Sequence, residues 1–93
     1  MDTRKTTKNA DSYRIKIYRS AMRGWHCISA YAEITVLGTY ATAVIDETEN
    51  GWSASVNFDG FEYRAGGRRQ MDAATSLCEM IVATMNAKAS RIA

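Results

Sequence analysis

Apolar and polar residues alternate with a period of two from Ile28 to Ala65. This alternation is typical of strands with one buried and one exposed face. Three turn signals interrupt it: Gly38-Thr39, the polar segment 47–50 followed by Gly51, and Asp59-Gly60. Short glycine-containing turns between alternating runs favour β-hairpins. The pattern therefore predicts four consecutive antiparallel strands.

These turns also predict which residues face each other across neighbouring strands. Each of the three turns pairs apolar residues, and all three place those residues on the same side of one sheet. A slip of one residue would move the apolar residues of a strand to the opposite face. The sheet is therefore expected to have one apolar side with small residues at its centre. The predicted facing pairs include Ile34–Ala43, Ala43–Ala54 and Val56–Tyr63.

The segment before these strands divides into three parts. Residues 1–11 show no apolar periodicity and are predicted to form a flexible tail. Tyr13 to Arg19 alternates again, with Tyr13, Ile15 and Ile17 on one side, and predicts a further strand. Residues 20–26 are interpreted as a loop that turns the chain back.

The period becomes helical from Gln70 onwards. Apolar residues recur every three or four positions, which predicts one helix with a single apolar stripe. The stripe consists of Met71, Ala74, Leu77, Cys78, Ile81, Val82 and Met85. The expected fold class is α+β: an antiparallel β-meander of four to five strands, with one C-terminal α-helix packed on one face. Residues 12–93 are expected to form a single domain.

Composition limits the protein classes to consider. The chain has 93 residues, 46% of them hydrophobic and 24% charged, which is typical of one globular domain. No apolar run approaches the roughly 20 residues of a membrane span, and no secretory signal is recognisable. Cys27 is expected on the polar side of its strand and Cys78 on the helix stripe, so a disulfide is not expected. A reducing, cytoplasmic location follows as the default.

The chain offers few groups for catalysis, so we expect a non-enzyme with no catalytic residues, no cofactor and no metal site. His26 is the single histidine. Cys27 adjoins it, but adjacent strand residues point to opposite faces, which is poor geometry for a Cys-His pair. The acidic residues Asp46, Glu47 and Glu49 lack the ligand spacing of a calcium loop.

The outward side of the predicted sheet carries the candidate binding residues. Tyrosine and arginine are enriched in protein interfaces, and a tryptophan in an exposed loop can anchor a partner. Tyrosines interleaved with basic residues can also stack nucleic-acid bases and contact phosphates. Glu33 and Glu62 reduce the positive charge of this side. The candidate partner-binding residues are Arg14, Lys16, Tyr18, Trp25, Tyr31, Tyr40 and Arg64.

We therefore expect a small regulatory protein that binds a protein partner through the outer sheet face, in the manner of an antitoxin, an adaptor or a phage-borne inhibitor. A homodimer through the sheet edges is also compatible with the pattern. The alternative is a single-stranded DNA- or RNA-binding domain, with Tyr18, Tyr31 and Tyr40 stacking on bases and Arg14, Lys16 and Arg64 contacting phosphates.

Residues 43–82, AVIDETENGWSASVNFDGFEYRAGGRRQMDAATSLCEMIV, resemble the HicB-type antitoxin domain. The likeness lies in the order of a strand, an acidic-glycine turn, an aromatic-bearing strand and a helix after a glycine-containing loop. Asp59-Gly60-Phe61 stands where the family has a Pro-Gly-Cys-like segment, and two strands precede the matching part. The order of a β-meander and then a helix is also similar to Whirly-type single-strand-binding sheets.

Overall fold

A computed structural model describes the backbone of residues 5–92 and the side chains of residues 7–19 and 23–89. It contains a six-stranded antiparallel sheet, in which the strands lie in chain order, and one helix packed against it. This confirms the predicted α+β fold, although the sheet has one or two more strands than expected. The elements are β1 (Lys5–Asn9), β2 (Tyr13–Arg23), β3 (His26–Val36), β4 (Thr39–Thr48), β5 (Gly51–Phe58), β6 (Phe61–Gly67) and α1 (Gln70–Ile92).

The additional strand, β1, lies within the segment that was predicted to be a flexible tail. It pairs with β2, with Lys8 opposite Ile15. Residues 7–10 are exposed, so this edge strand has no alternation of buried and exposed side chains for a sequence pattern to reveal. Residues 1–4 of the predicted tail lie outside the described part of the chain.

The predicted loop at residues 20–26 is instead the end of a long hairpin. β2 continues to Arg23, β3 begins at His26, and Gly24 turns the chain with a φ of 59°. The pairing is irregular between Arg19 and Met22. Such a bulge breaks the alternation of side chains along β2. The alternating pattern therefore predicted that the strand ends at Arg19, although it continues to Arg23.

The predicted register is correct for one turn and displaced for two. The Asp59-Gly60 turn is confirmed, with Val56 opposite Tyr63. The first turn lies at Leu37-Gly38, where φ is 49° and 84°, rather than at Gly38-Thr39. The second is the two-residue turn 49–50, closed by the pair Thr48–Gly51. Each correction moves the facing partner by two positions, so the same side chains stay buried.

The core lies between α1 and the inner side of the sheet. The small strand residues Ala32, Ala43 and Ala54 are fully buried and allow the helix to approach closely. The predicted helical stripe is confirmed: five helix residues are fully buried and three more pack partly buried against the core. The fully buried ones are Ala73, Ala74, Leu77, Cys78 and Ile81, and the others are Met71, Val82 and Met85.

The start of α1 is held very close to the sheet. The backbone of Gly67 lies so near to Asp72 and Ala73 that a Cβ atom at position 67 would overlap them. Trp52 is opposite Gly67 in the sheet. The link between β6 and α1 is therefore fixed beside β5. Within residues 5–92, no helix combines the length and the apolarity that a membrane span needs.

Candidate interaction surface on the outer sheet face

The side of the sheet opposite α1 is not covered by any other described element. One row of side chains crosses it from strand to strand, because each residue is the register partner of the next. We call this the tyrosine row; it consists of Tyr18, Tyr31, Val44, Ser55 and Arg64. The two aromatic members are neighbours, and Val44 follows on the next strand.

The tyrosines on this face are held in place by each other and by one carboxylate. The rings of Tyr18 and Tyr31 stack, with centroids 5.0 Å apart and planes inclined by 19°. The Tyr18 hydroxyl donates to Glu33 Oε1 and the Tyr40 hydroxyl donates to Glu33 Oε2, each at 3.2 Å. Glu33 thus joins two tyrosines from different strands into one preorganised unit.

Partial burial raises the pKa of the Tyr18 hydroxyl above its ordinary 10.0. The hydrogen bond to Glu33 and the negative charge of that carboxylate raise it further, because both disfavour a phenolate beside an anion. Tyr18 therefore remains a neutral hydrogen-bond donor, and Glu33 places a carboxylate at the centre of this face, opposite Lys16.

Apolar surface remains accessible around this unit. Tyr31 is 37% exposed, Val44 49% and Tyr40 60%. The Tyr40 hydroxyl also accepts a hydrogen bond of 3.4 Å from Thr42. Aromatic surface with a polar tip beside an exposed aliphatic residue is a composition found at the centres of protein interfaces.

A cleft opens beside Val44 because β4 and β5 part there. Their pairing runs from Thr48–Gly51 only as far as Val44–Ser55. The cleft has a volume of about 280 Å³ and is lined by Thr42, Val44, Ser55, Val56, Asn57 and Glu62. Because hydrogen-bonded pairs alternate along an antiparallel ladder, the backbone groups of Thr42 and Asn57 point into the space between the strands.

Six of the seven predicted binding residues lie on the outer face of the sheet, and Trp25 lies apart from them. Tyr18, Tyr31 and Tyr40 lie around Glu33. Lys16 faces Glu33 across the β2–β3 pair, and Arg14 lies one row further on, opposite Thr35. The Arg64 guanidinium is engaged by Glu62 at 3.3 Å. Trp25 is fully exposed at the tip of the β2–β3 hairpin, roughly 20 Å from Tyr31 at 3.3 Å per strand residue.

Val44 and the cleft beside it are the main features that the sequence interpretation missed. Val44 is an apolar residue at an outward position of an alternating strand, and that signal was visible in the sequence. The cleft was not, because nothing in the alternation shows where a sheet stops pairing.

The groups considered for catalysis have other contacts. The His26 Nε2 atom lies 2.7 and 2.8 Å from the two carboxylate oxygens of Glu47. Cys27 was predicted to lie on the polar side of its strand, but its sulfur faces the helix and lies 3.2 Å from Gln70 Nε2. The irregular β2–β3 pairing explains this reversal. No group of three His, Cys, Asp or Glu side chains among the described residues could hold a metal ion.

No protein-family model, curated protein or solved structure matches this chain. The likeness to HicB-type antitoxins is thus not accompanied by a matching family model.

Proposed function

We propose that the protein is a non-catalytic regulator that binds a protein partner through the tyrosine row and the adjoining cleft, in a reducing, cytoplasmic setting. The supporting observation is the unit formed by the stacked Tyr18 and Tyr31 rings, next to the exposed Val44 and the cleft between β4 and β5. A rigid aromatic surface beside a small cleft is the arrangement in which interface hot spots occur.

Preorganisation favours this use of the face. The stacking and the two hydrogen bonds to Glu33 already restrict the tyrosine side chains in the free protein. A partner therefore does not have to order these side chains on binding, a cost of about 0.5–1.5 kcal/mol for each side chain immobilised. The cleft would accept one small apolar or hydroxyl-bearing side chain, and the backbone groups of Thr42 and Asn57 could bond its polar atoms.

The same geometry argues against the nucleic-acid alternative. Base stacking needs accessible ring faces, whereas Tyr18 and Tyr31 each turn one ring face towards the other. Glu33 puts a negative charge at the centre of the face, and Glu62 engages Arg64. A phosphate beside Tyr18 and Tyr31 would therefore meet the Glu33 carboxylate as well as Lys16, the register partner of Glu33.

The test is quantitative affinity capture from the source cell with three forms of the protein: wild type, Val44→Arg and Met80→Arg. Met80 is an exposed apolar residue on the helix, 41% accessible, and is the matched control for introducing an arginine. We expect wild type and Met80→Arg to capture the partner equally well. Val44→Arg should bind it with an affinity at least 30-fold lower, which corresponds to a hot-spot loss of about 2 kcal/mol.

Equal capture of the same proteins by all three forms would show that the outer face is not the binding surface. Capture that disappears after nuclease treatment, together with salt-sensitive binding of mixed oligonucleotides, would support the single-strand-binding alternative instead. Exchange of tagged and untagged chains into one complex would identify a second copy as the partner.

A further inference from the structure

A second pocket lies on the other side of the sheet, where α1 begins. It has a volume of about 410 Å³ and is formed by residues from β2, β3, β5 and the start of α1. Three of the residues that line it are arginines, and the rest are mainly apolar or aromatic. The lining residues are Ile17, Arg19, Cys27, Trp52, Arg68, Arg69, Gln70 and Met71. None of them belongs to the tyrosine row.

The fold brings these arginines together from distant parts of the sequence. Arg19 belongs to β2 and is exposed, two positions after the buried Ile17. Arg68 and Arg69 follow β6 directly, and the pair Trp52–Gly67 places that link beside the tryptophan. The close packing of Gly67 against Ala73 holds the link in position.

No carboxylate of the residues whose side chains are described pairs with these arginines. Among the described residues, the ion pairs are His26–Glu47 and Arg64–Glu62, and neither involves a pocket arginine. Glu47 is the register partner of Trp52, and its carboxylate is hydrogen-bonded to His26 rather than to a pocket arginine. Asp72, in the first turn of α1, does not line the pocket.

The side chains of Arg19, Arg68 and Arg69 are exposed around this open pocket and concentrate positive charge there, and their mutual repulsion is not offset by a carboxylate of the described residues. A phosphate group relieves this repulsion, because guanidinium groups form paired hydrogen bonds with its oxygens. The cavity is larger than a phosphate needs and lies in the range of small-molecule sites. Trp52, Ile17 and Met71 supply an apolar wall for the rest of such a ligand.

We propose that this pocket binds a nucleoside 5′-phosphate, with the phosphate on Arg19, Arg68 and Arg69 and the base against Trp52. Such a group occurs in a free mononucleotide and at the 5′ end of a strand. The site is independent of the partner-binding face proposed above, since the two lie on opposite sides of the sheet.

Calorimetric titration with adenosine 5′-monophosphate, adenosine and inorganic phosphate tests this proposal. We expect binding of the monophosphate, with each of the other two compounds at least tenfold weaker. The double variant Arg68→Ala/Arg69→Ala should lose at least tenfold in affinity. Arg14→Ala/Arg64→Ala removes the same charge from the outer face and should bind as wild type does. A 5′-phosphorylated oligoadenylate is titrated in the same way. If it binds more tightly than the monophosphate, the site takes a strand end; if it does not, the site takes a free nucleotide.

A second measurement follows the indole of Trp52. In a Trp25→Phe background, Trp52 is the remaining tryptophan, and its fluorescence should change on adding the monophosphate but not inorganic phosphate alone. If the double variant does not fold, Arg19→Ala replaces it, with the same expected loss. No binding of the monophosphate at millimolar concentration, equal affinity for inorganic phosphate, or equal losses in the pocket and outer-face variants would overturn the proposal.

Discussion

Alkaline pH should destabilise this protein through one buried thiol. Cys78 lies on the inner side of α1 with no solvent exposure. Burial raises the pKa of its thiol from the ordinary 9.0 to about 12, and the negative charge of Glu79 adds to the effect. In the unfolded chain the thiol ionises near its ordinary pKa. Its contribution to stability is therefore fully present below pH 9 and is lost as the pH rises towards 12.

The size of the effect follows from the difference between the folded and unfolded pKa values. Each pKa unit corresponds to about 1.36 kcal/mol. The loss begins near pH 9, where the thiol of the unfolded chain ionises, so about two units count between pH 8 and pH 11. The free energy of unfolding should therefore fall by about 3 kcal/mol over this range from this thiol alone. That loss is large relative to the roughly 5–15 kcal/mol of a typical domain.

Urea unfolding at pH 8 and pH 11, in the presence of a reductant, measures this loss. Cys78→Ala removes the titrating group and should show a pH-dependent loss smaller by about 3 kcal/mol. Ile81→Val is the control: it truncates a fully buried neighbour on the same helix stripe without removing a titrating group, and it should keep the wild-type pH dependence. Burial and Glu79 also raise the pKa of Tyr13, and the charge of Cys78 makes the smallest contribution to that shift. The Tyr13 effect is therefore nearly the same in all three proteins and largely cancels in the comparison. An identical pH dependence in wild type and Cys78→Ala would refute the reasoning.

Two further predictions concern the outer face and the start of the helix. Glu33→Gln removes the carboxylate beside Tyr18, so the pKa of that tyrosine should move down towards its ordinary value in a spectrophotometric titration of tyrosinate; an unchanged titration would contradict the role given to Glu33. Gly67→Ala forces a Cβ atom into the backbone of Ala73 and should lower the free energy of unfolding by about 1–3 kcal/mol in urea. Gly66→Ala is its control, since a Cβ there meets only the Trp52 carbonyl oxygen at 3.5 Å. A loss of stability in Gly66→Ala as large as that in Gly67→Ala would contradict the overlap.

Most of the fold could be predicted from periodicity. The alternation from Ile28 to Ala65 and the helical stripe after Gln70 identified the elements and the buried face of each. The buried face of each strand was predicted correctly even where a turn was misplaced. Moving a turn by one residue shifts the facing partner by two positions, and residues two positions apart lie on the same face. The turn at Leu37-Gly38 was misplaced since leucine rarely adopts a positive φ, and its neighbour looked like the better turn residue.

The candidate sites depended on tertiary structure to a greater degree. The sequence alone placed Tyr18, Tyr31 and Tyr40 on one outward face, because strand alternation decides the direction of each side chain. It could not show the stacking of two rings, their shared Glu33, or the end of the β4–β5 pairing beside Val44. These depend on register and on sheet twist, which vary without changing the pattern.

The arginine-lined pocket shows the same division. The sequence determined a basic link between the last strand and the helix, at Arg68 and Arg69. Only the tertiary structure decided that this link lies beside Trp52 and Arg19. The physical reason is that hydrophobic periodicity shows which face of an element is buried. Which charged residues meet depends instead on where the helix and the strands lie relative to each other after packing.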